Sequence, residues 1–509
     1  MDKSILFGQT TGFTQNETLD APPFFADLHL DRVVEAITAG RDEYALKPFF
    51  YASLQDVDSI AYRHEVFQDL EDKSTFENIQ AFSEKMRTAR GYIRFAEKFY
   101  YKRQKQRYFL DAVEIYCDAV IRLLQDLSRA DLKSRGLSSF REYLAGRVES
   151  EDFRALAAQT KQLETDIASV RYCMHIEGGC VRVNKYDSEI DYSSEVEKTF
   201  DKFRQETART YRTNFHDLPE MNHVEAGVLD LVAKWHPELF STLEDYCAKN
   251  SGFLDQTIAR FDREVQFYLA CLEHVGVFEK KGLRFCYPRI RSEPGDLFVQ
   301  EGFDLALAHK LVTEGAAVIC NDFSLKDEER IFVVSGPNQG GKTTFARMFG
   351  QLHYLGALGC PVPGREAALY LFDRIFTHFE KEEDIRTLRG KLEDDLVRIH
   401  AILERATARS IVIMNEIFTS TTLSDATFLS KMIMERIVRL DALCVWVTFI
   451  DELASYSEKT VSMVSTVVRE NPALRTFKVV RSRADGLAYA MSLAEKHRVT
   501  YGWLVDRIR

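Results

Sequence analysis

The chain has 509 residues, too many for one ordinary core and enough for roughly two to four domains. Its 45% hydrophobic content and 11 prolines exclude a disordered or fibrous class, and its formal charge of -11 excludes long-range attraction to nucleic acid. Any nucleic-acid contact must come from a local basic patch. The nine cysteines, Cys117, Cys173, Cys180, Cys286, Cys320 and Cys444 among them, form no Cys-x-x-Cys pair and no His-Cys cluster at zinc spacing, which predicts reduced core thiols. The stretch "MDKSILFGQTTGFTQNE" lacks a charged start followed by an apolar run, and "LCVWVTFI" is far too short to span a bilayer. A cytoplasmic protein with no membrane partner is expected.

From about Phe24 to Leu283 helical periodicity dominates, in stretches rich in Glu, Lys, Arg and Ala. Within it, "EKMRTARGYIRFAEKFYYKRQKQRYF" carries Lys85, Arg87, Arg90, Arg94, Lys98, Lys102, Arg103, Lys105 and Arg107, with Tyr92, Phe95, Phe99, Tyr100 and Tyr101 interleaved. Two readings stay open: a face that tracks a phosphate backbone, or core aromatics flanked by solvated and paired cations. One stretch breaks the helical pattern. "VRYCMHIEGGCVRVNKY" alternates Val170, Tyr172, Met174 and Ile176 on one face, turns at Gly178 and Gly179, and continues through Val181 and Val183, which predicts a β-hairpin.

After "RFCYPRIRSEPGD" the character changes, and from about Ala317 short β-branched runs alternate with helical segments, the pattern of a parallel sheet with helices on its faces. The strand "RIFVVS" runs into "GPNQGGKTT", where Gly336, Gly341, Lys342 and Thr343 satisfy G-x-x-x-x-G-K-[ST] between a strand and a helix. Glycines let successive backbone N-H groups turn inward around phosphates, Lys342 adds positive charge, and the Thr343 hydroxyl can ligate magnesium. The helix that follows points its positive end at the same anion. Further on, Leu388, Leu392, Leu396, Ile399 and Leu403 predict a helix leading into the strand Ile411, Val412, Ile413, Met414, whose end should sit beside the phosphate loop. That strand ends in Asn415 and Glu416, where nucleotide hydrolases usually carry an aspartate for magnesium and a glutamate that orients water. Glu416 is read either in that role or as a solvated glutamate at a strand end. His175, His378 and His400 have no partner at metal spacing and are assigned no chemistry.

These residues resemble the ATPase domain of the MutS DNA mismatch-repair proteins, a branch of the ABC-type ATPases. The resemblance begins with "AVICNDFSL", whose Asn321 and Asp322 look like the family's Asn-Asp pair. It continues through "GPNQGGKTT", "DRIFTHF", "NEIFTSTTLSDA" and "TFKVVRSRADGLAYA". Upstream, "LKPFFYASLQDVDSIAYRHEVFQDLE" is similar to the start of the family's helical core and lever region. The resemblance implies a multidomain chain: an α-helical core and lever region over 1-290, with a small β-hairpin insertion near 168-187, followed by an α/β P-loop ABC-type ATPase domain over 291-509. It implies ATP and Mg2+ as cofactors, with catalysis by Glu416 and Lys342. Nucleotide contacts fall on Asn321, Asp322, Gly336, Pro337, Asn338, Gly340, Gly341, Lys342, Thr343, Thr344, Gly390 and Lys391, and metal contacts on Thr343 and Asn415. Partners implied are DNA, a second copy of the chain through the ATPase domain, and repair proteins. The hairpin would stand where family members carry a DNA clamp.

The chain also departs from the family. Only the stretch before Phe24 precedes the helical body, so no separate mismatch-reading domain is expected, and Phe82-Ser83-Glu84, formally like the family's probing Phe-x-Glu, falls inside a helical run. Gly390 and Lys391 replace a Ser-Thr pair in the signature segment, and Phe449 stands at the position of a switch histidine. Asn415 keeps a carbonyl oxygen but no charge, so weaker magnesium binding and slow hydrolysis are expected rather than none. Thr421 and Asp425 fall where the family has a loop crossing the dimer interface, and Asp425 equally suits the first turn of a helix starting near Ser424. The competing expectation is a nucleotide-sensing scaffold that scarcely turns ATP over and acts through protein partners.

Overall fold

A computed structural model describes residues 4-8, 20-187, 221-293, 295-380, 390-468, 471-483 and 500-501. In chain order the helices are α1 (Phe24–Leu28), α2 (Leu30–Thr38), α3 (Val57–Leu70), α4 (Lys73–Lys98), α5 (Lys102–Arg129), α6 (Arg135–Glu149) and α7 (Glu151–Ser169). The hairpin β1 (Tyr172–Glu177) and β2 (Cys180–Lys185) follows, then α8 (His223–Trp235), α9 (Pro237–Lys249) and α10 (Gln256–Glu279). The rest alternates: β3 (Phe285–Cys286), β4 (Arg289–Arg291), β5 (Leu297–Gly302), α11 (Leu305–Thr313), β6 (Asn321–Leu325), β7 (Ile331–Ser335), α12 (Lys342–Ala357), β8 (Val362–Pro363), β9 (Glu366–Tyr370) and β10 (Ile375–Phe379). It closes with α13 (Lys391–Arg405), β11 (Ile411–Asn415), α14 (Leu423–Leu440), β12 (Leu443–Val447), β13 (Thr460–Val468) and β14 (Asn471–Arg481).

The chain packs into two compact units. One comprises Met1–Asp72, Lys133–Leu137 and Arg263–Arg509; the other comprises Lys73–Leu132 and Ser138–Asp262. This division by packing differs from the sequence boundary at 290, because α1 to α3 pack into the later, strand-containing half. The Leu28 carbonyl accepts from Gln351 Nε2 at 2.8 Å, and the Asp27 carbonyl from Arg347 Nε at 3.0 Å, so α1 is tied to α12. Gly350 permits that approach: a Cβ there would lie 2.7 Å from Leu28 Cδ1 and 2.8 Å from Ile413 Cδ1.

The strand-containing unit is built on a six-stranded sheet ordered β10-β11-β12-β7-β13-β14, parallel except at β14. β7, β11 and β12 are buried at every position, as parallel strands covered on both faces must be, which is why they read as continuous apolar runs. A second sheet, β4-β9-β5-β6, lies in the same unit. Helix starts carry the expected caps: Asp56 accepts from Ser59 N, Asp304 from Leu307 N and Thr422 from Asp425 N.

The helical unit has its own core. Phe140 stacks on Phe261 with ring centroids 3.6 Å apart, and Tyr116 packs edge-on against Phe253. The predicted hairpin is present: β1 and β2 pair antiparallel around Gly178 and Gly179, whose φ of 57° and 81° suit glycine. Val181 and Val183 face a cluster with Val232, Ala233 and Phe240, while Tyr172, Met174 and Ile176 stay exposed. Phe82 is core inside α4, which agrees with reading Phe82-Ser83-Glu84 as part of a helix. Among the described residues no helix is long and apolar enough to cross a membrane, and none of the nine cysteines forms a disulfide.

Candidate nucleotide site

The six residues between β7 and α12 form a loop that only a glycine-rich sequence can make. Gly336 and Gly341 have φ of 116° and 94°, in the region L side chains avoid, and Gln339 is at 59°. Space is equally restrictive, since a Cβ on Gly336 or Gly340 would fall 2.7 Å or less from Ser465 Oγ of β13. Pro337 supplies a carbonyl that accepts from Gly340 N at 3.2 Å. Lys342 and Thr343 then open α12, followed by Thr344 in its first turn.

Lys342 is 5% exposed and its ammonium is held by the loop itself. Nζ donates to the carbonyls of Gly336 at 3.0 Å and Pro337 at 3.3 Å, and to Asn338 Oδ1 at 3.2 Å. Glu416 Oε1 lies 3.4 Å away. The structure thus brings Lys342 and Glu416 together although β12 stands between β11 and β7; the strand carrying Glu416 is one removed from the phosphate-loop strand. Glu416 N donates to Val447 O of β12 at 2.9 Å, which fixes the strand end at that distance.

Thr343 Oγ1 donates to Asn415 Oδ1 at 2.8 Å. An aspartate would accept the same bond, so the amide preserves the hydroxyl's orientation and removes only the charge. With its proton committed, the threonine oxygen keeps lone pairs for a hard cation. One hydroxyl, one amide oxygen and phosphate oxygens make a donor set that fits magnesium, which keeps several waters and needs few protein ligands. Phe449 is 49% exposed just beyond β12.

The other expected residues lie outside this group of four, although the Phe477 carbonyl that Asn321 binds is 3.5 Å from where a Cβ on Gly341 would stand. Asn321 is buried at the start of β6, and its amide is bound to β14 at both ends: Oδ1 accepts from Val479 N at 2.7 Å and Nδ2 donates to Phe477 O at 3.3 Å. Asp322 Oδ1 accepts from Glu301 N at 2.6 Å. This pair braces strand edges beside a cleft of about 670 Å³ between β5, β6 and β14. Gly390 caps α13, and Lys391 pairs with Glu380, whose carboxylate also accepts from Thr419 at 3.4 Å. Leu388 and the segment "ADGLAYA" lie outside the described residues. Asp425 sits in the first turn of α14 and accepts from Thr422 Oγ1 at 2.9 Å, as its helix role requires.

Sequence spacing missed one pair. His378 Nε2 on β10 contacts Asp395 Oδ1 on α13 at 2.9 Å, both buried. Burial is the largest single influence and works to raise the Asp395 carboxyl, but His378, the Phe418 amide and Arg398 together outweigh it and hold the group below the usual carboxylate range. Nothing in the local sequence signals this, because the partners come from separate elements. In the helical unit the basic stretch is largely engaged. Lys102 pairs with Glu244, Arg107 with Asp111 and Glu164, Arg90 with Asp262, and Arg103 lies over the Phe240 ring. Tyr100 is almost fully exposed.

A phosphate-type glycine loop between a buried parallel strand and a helix, with lysine, hydroxyl and acid converging on it, defines a P-loop domain. Residues 332-500 match the MutS domain V family. The chain is 26% identical over 300 residues to the DNA mismatch repair protein MutS of Brevibacillus brevis, covering 57% of this chain and 34% of that protein. It is 31% identical over 170 residues to that of Fervidobacterium nodosum, covering 32% and 21%, and 29% identical over 228 residues to that of Thermosipho melanesiensis, covering 44% and 27%. Over this stretch the chain is similar to MutS proteins, and the matches span about a third or less of those relatives' lengths.

Proposed function

We propose that the chain is a MutS-like, DNA-binding ATPase that works as an ATP-driven dimeric clamp in DNA repair or recombination, without reading mismatches directly. The observation that carries this reading is the convergence of Lys342, Thr343, Asn415 and Glu416 on one glycine loop within a MutS domain V. The loop's N-H groups and the α12 terminus bind the phosphates. Magnesium bound with ATP supplies positive charge to the β- and γ-phosphates. Lys342 exchanges its contacts with Asn338 and Glu416 for the γ-phosphate, which frees the Glu416 carboxylate to orient a water. Asn415 holds the Thr343 hydroxyl in place but adds no charge, so turnover is slow. A second copy contributes through Gly390 and Lys391, for which Lys391 leaves Glu380. Lost γ-phosphate contacts then bias the pair towards opening. The β1-β2 hairpin, on which Tyr172, Met174 and Ile176 are exposed, is the element assigned to DNA.

Phosphate release is to be measured with and without duplex, mismatched and branched DNA, with Lys342→Ala as the blank. Magnesium-dependent release above that blank, raised by DNA, is expected, as is a dimer on gel filtration in at least one nucleotide state. A monomer in both states removes the clamp. The second reading, a nucleotide-binding scaffold acting through protein partners, is favoured by the uncharged Asn415 and by Phe449, and predicts ATP uptake without turnover.

A further inference from the structure

The segment after β11 is held in a conformation its residues do not favour. Glu416 and Phe418 have φ of 51° and 62°, left-handed values for two non-glycine residues, so the turn must be supported from outside. One support is the bond from Glu416 N to Val447 O at 2.9 Å. The other comes from α13. Asp395 is 6% exposed; its Oδ1 faces His378 Nε2 at 2.9 Å, and its Oδ2 accepts from Phe418 N at 3.4 Å. His378 is 1% exposed on β10, in register with Met414 of β11. A carboxylate only accepts, so the imidazole carries its proton on Nε2, and its Nδ1 has no hydrogen-bond partner among the described residues. One helix carboxylate therefore joins the strand beside β11 to the turn that aims Glu416 at Lys342.

We propose that Asp395, oriented by His378, is a positioning residue that holds the Glu416 carboxylate against the phosphate loop. This rests on the nucleotide-site reading of Glu416. A buried pair that merely satisfied itself would not need the second oxygen, which is spent on the backbone of the left-handed turn. Asp395→Asn is nearly isosteric but offers one acceptor to two donors, so either His378 Nε2 or Phe418 N faces an NH2 group. His378→Leu removes the orienting donor, and His378→Gln restores one.

The full chain and the three variants are to be compared in ATP turnover, in binding of a fluorescent ATP analogue, and in hydrogen exchange at the Phe418 amide without nucleotide. In Asp395→Asn and His378→Leu, affinity and KM stay within about twofold, while kcat falls by about tenfold to a hundredfold, as expected when a reacting group is slightly misplaced. Phe418 exchange quickens by about tenfold in both, and His378→Gln returns kcat and exchange towards the unmodified values. Unchanged Phe418 exchange in both variants overturns the proposal, as does a proportional loss of affinity and turnover, which marks a merely structural pair. Should the unmodified chain bind ATP without releasing phosphate, the hydrolysis reading fails and Phe418 exchange alone decides the positioning role. If Asp395→Asn does not fold, the contrast between His378→Leu and His378→Gln carries the test.

Discussion

At Asn415 a single atom separates the two readings of the chain. The amide accepts the Thr343 hydroxyl at 2.8 Å as a carboxylate would, so replacing it changes charge without moving its neighbour. In a site that is 8% exposed at this residue, a negative charge acts at reduced screening. Asn415→Asp is therefore expected to lower the magnesium concentration for half-maximal phosphate release by about tenfold, the scale of one charge-assisted contact. A magnesium titration of both proteins checks this; identical curves would mean that the residue does not face the ion.

Among the elements, α12 does the most to place the site, because its first turn carries Lys342 and Thr343 and its middle carries the contact to α1. Gly350 sits where Leu28 and Ile413 both press on the helix. Gly350→Ala adds one methyl to a space that cannot take it, and overpacking of this kind costs about 1–3 kcal/mol. Urea unfolding should show the loss, while nucleotide affinity of the folded fraction stays unchanged, since the change lies two turns from the loop. A stability equal to that of the unmodified chain would show that α1 can shift away.

For the molecule as a whole, acid is the expected weakness of the strand-containing unit. Burial pushes His64, His274 and His353 down to about 4, with His309 adding to the effect at His274. In the unfolded chain these groups take up protons near their ordinary value of 6.5, while in the folded chain they stay neutral until about pH 4. Between those values the unfolded state binds more protons, so stability falls as pH falls, by about 1.4 kcal/mol per pH unit for a fully buried histidine. Thermal midpoints should be level from pH 8 to 7 and drop from 6.5 to 4. A midpoint that holds steady through that window would contradict the buried, neutral state of these rings.

The phosphate loop, the hairpin and the alternation of strands and helices were legible in the amino-acid order because each depends on neighbours in the chain. Gly336 and Gly341 meet a backbone demand that shows in the residue type alone, and Gly178-Gly179 does the same for the hairpin. The meeting of Lys342 with Glu416 was expected from the order of strand and loop, whereas its 3.4 Å distance, the His378-Asp395 pair and the packing of α1 to α3 onto the strand-containing half were decided only by tertiary structure. So was the use of Asn321 as a brace for β14. Those contacts join residues from separate elements, and their distances follow from strand order, register and helix packing, which no local spacing records.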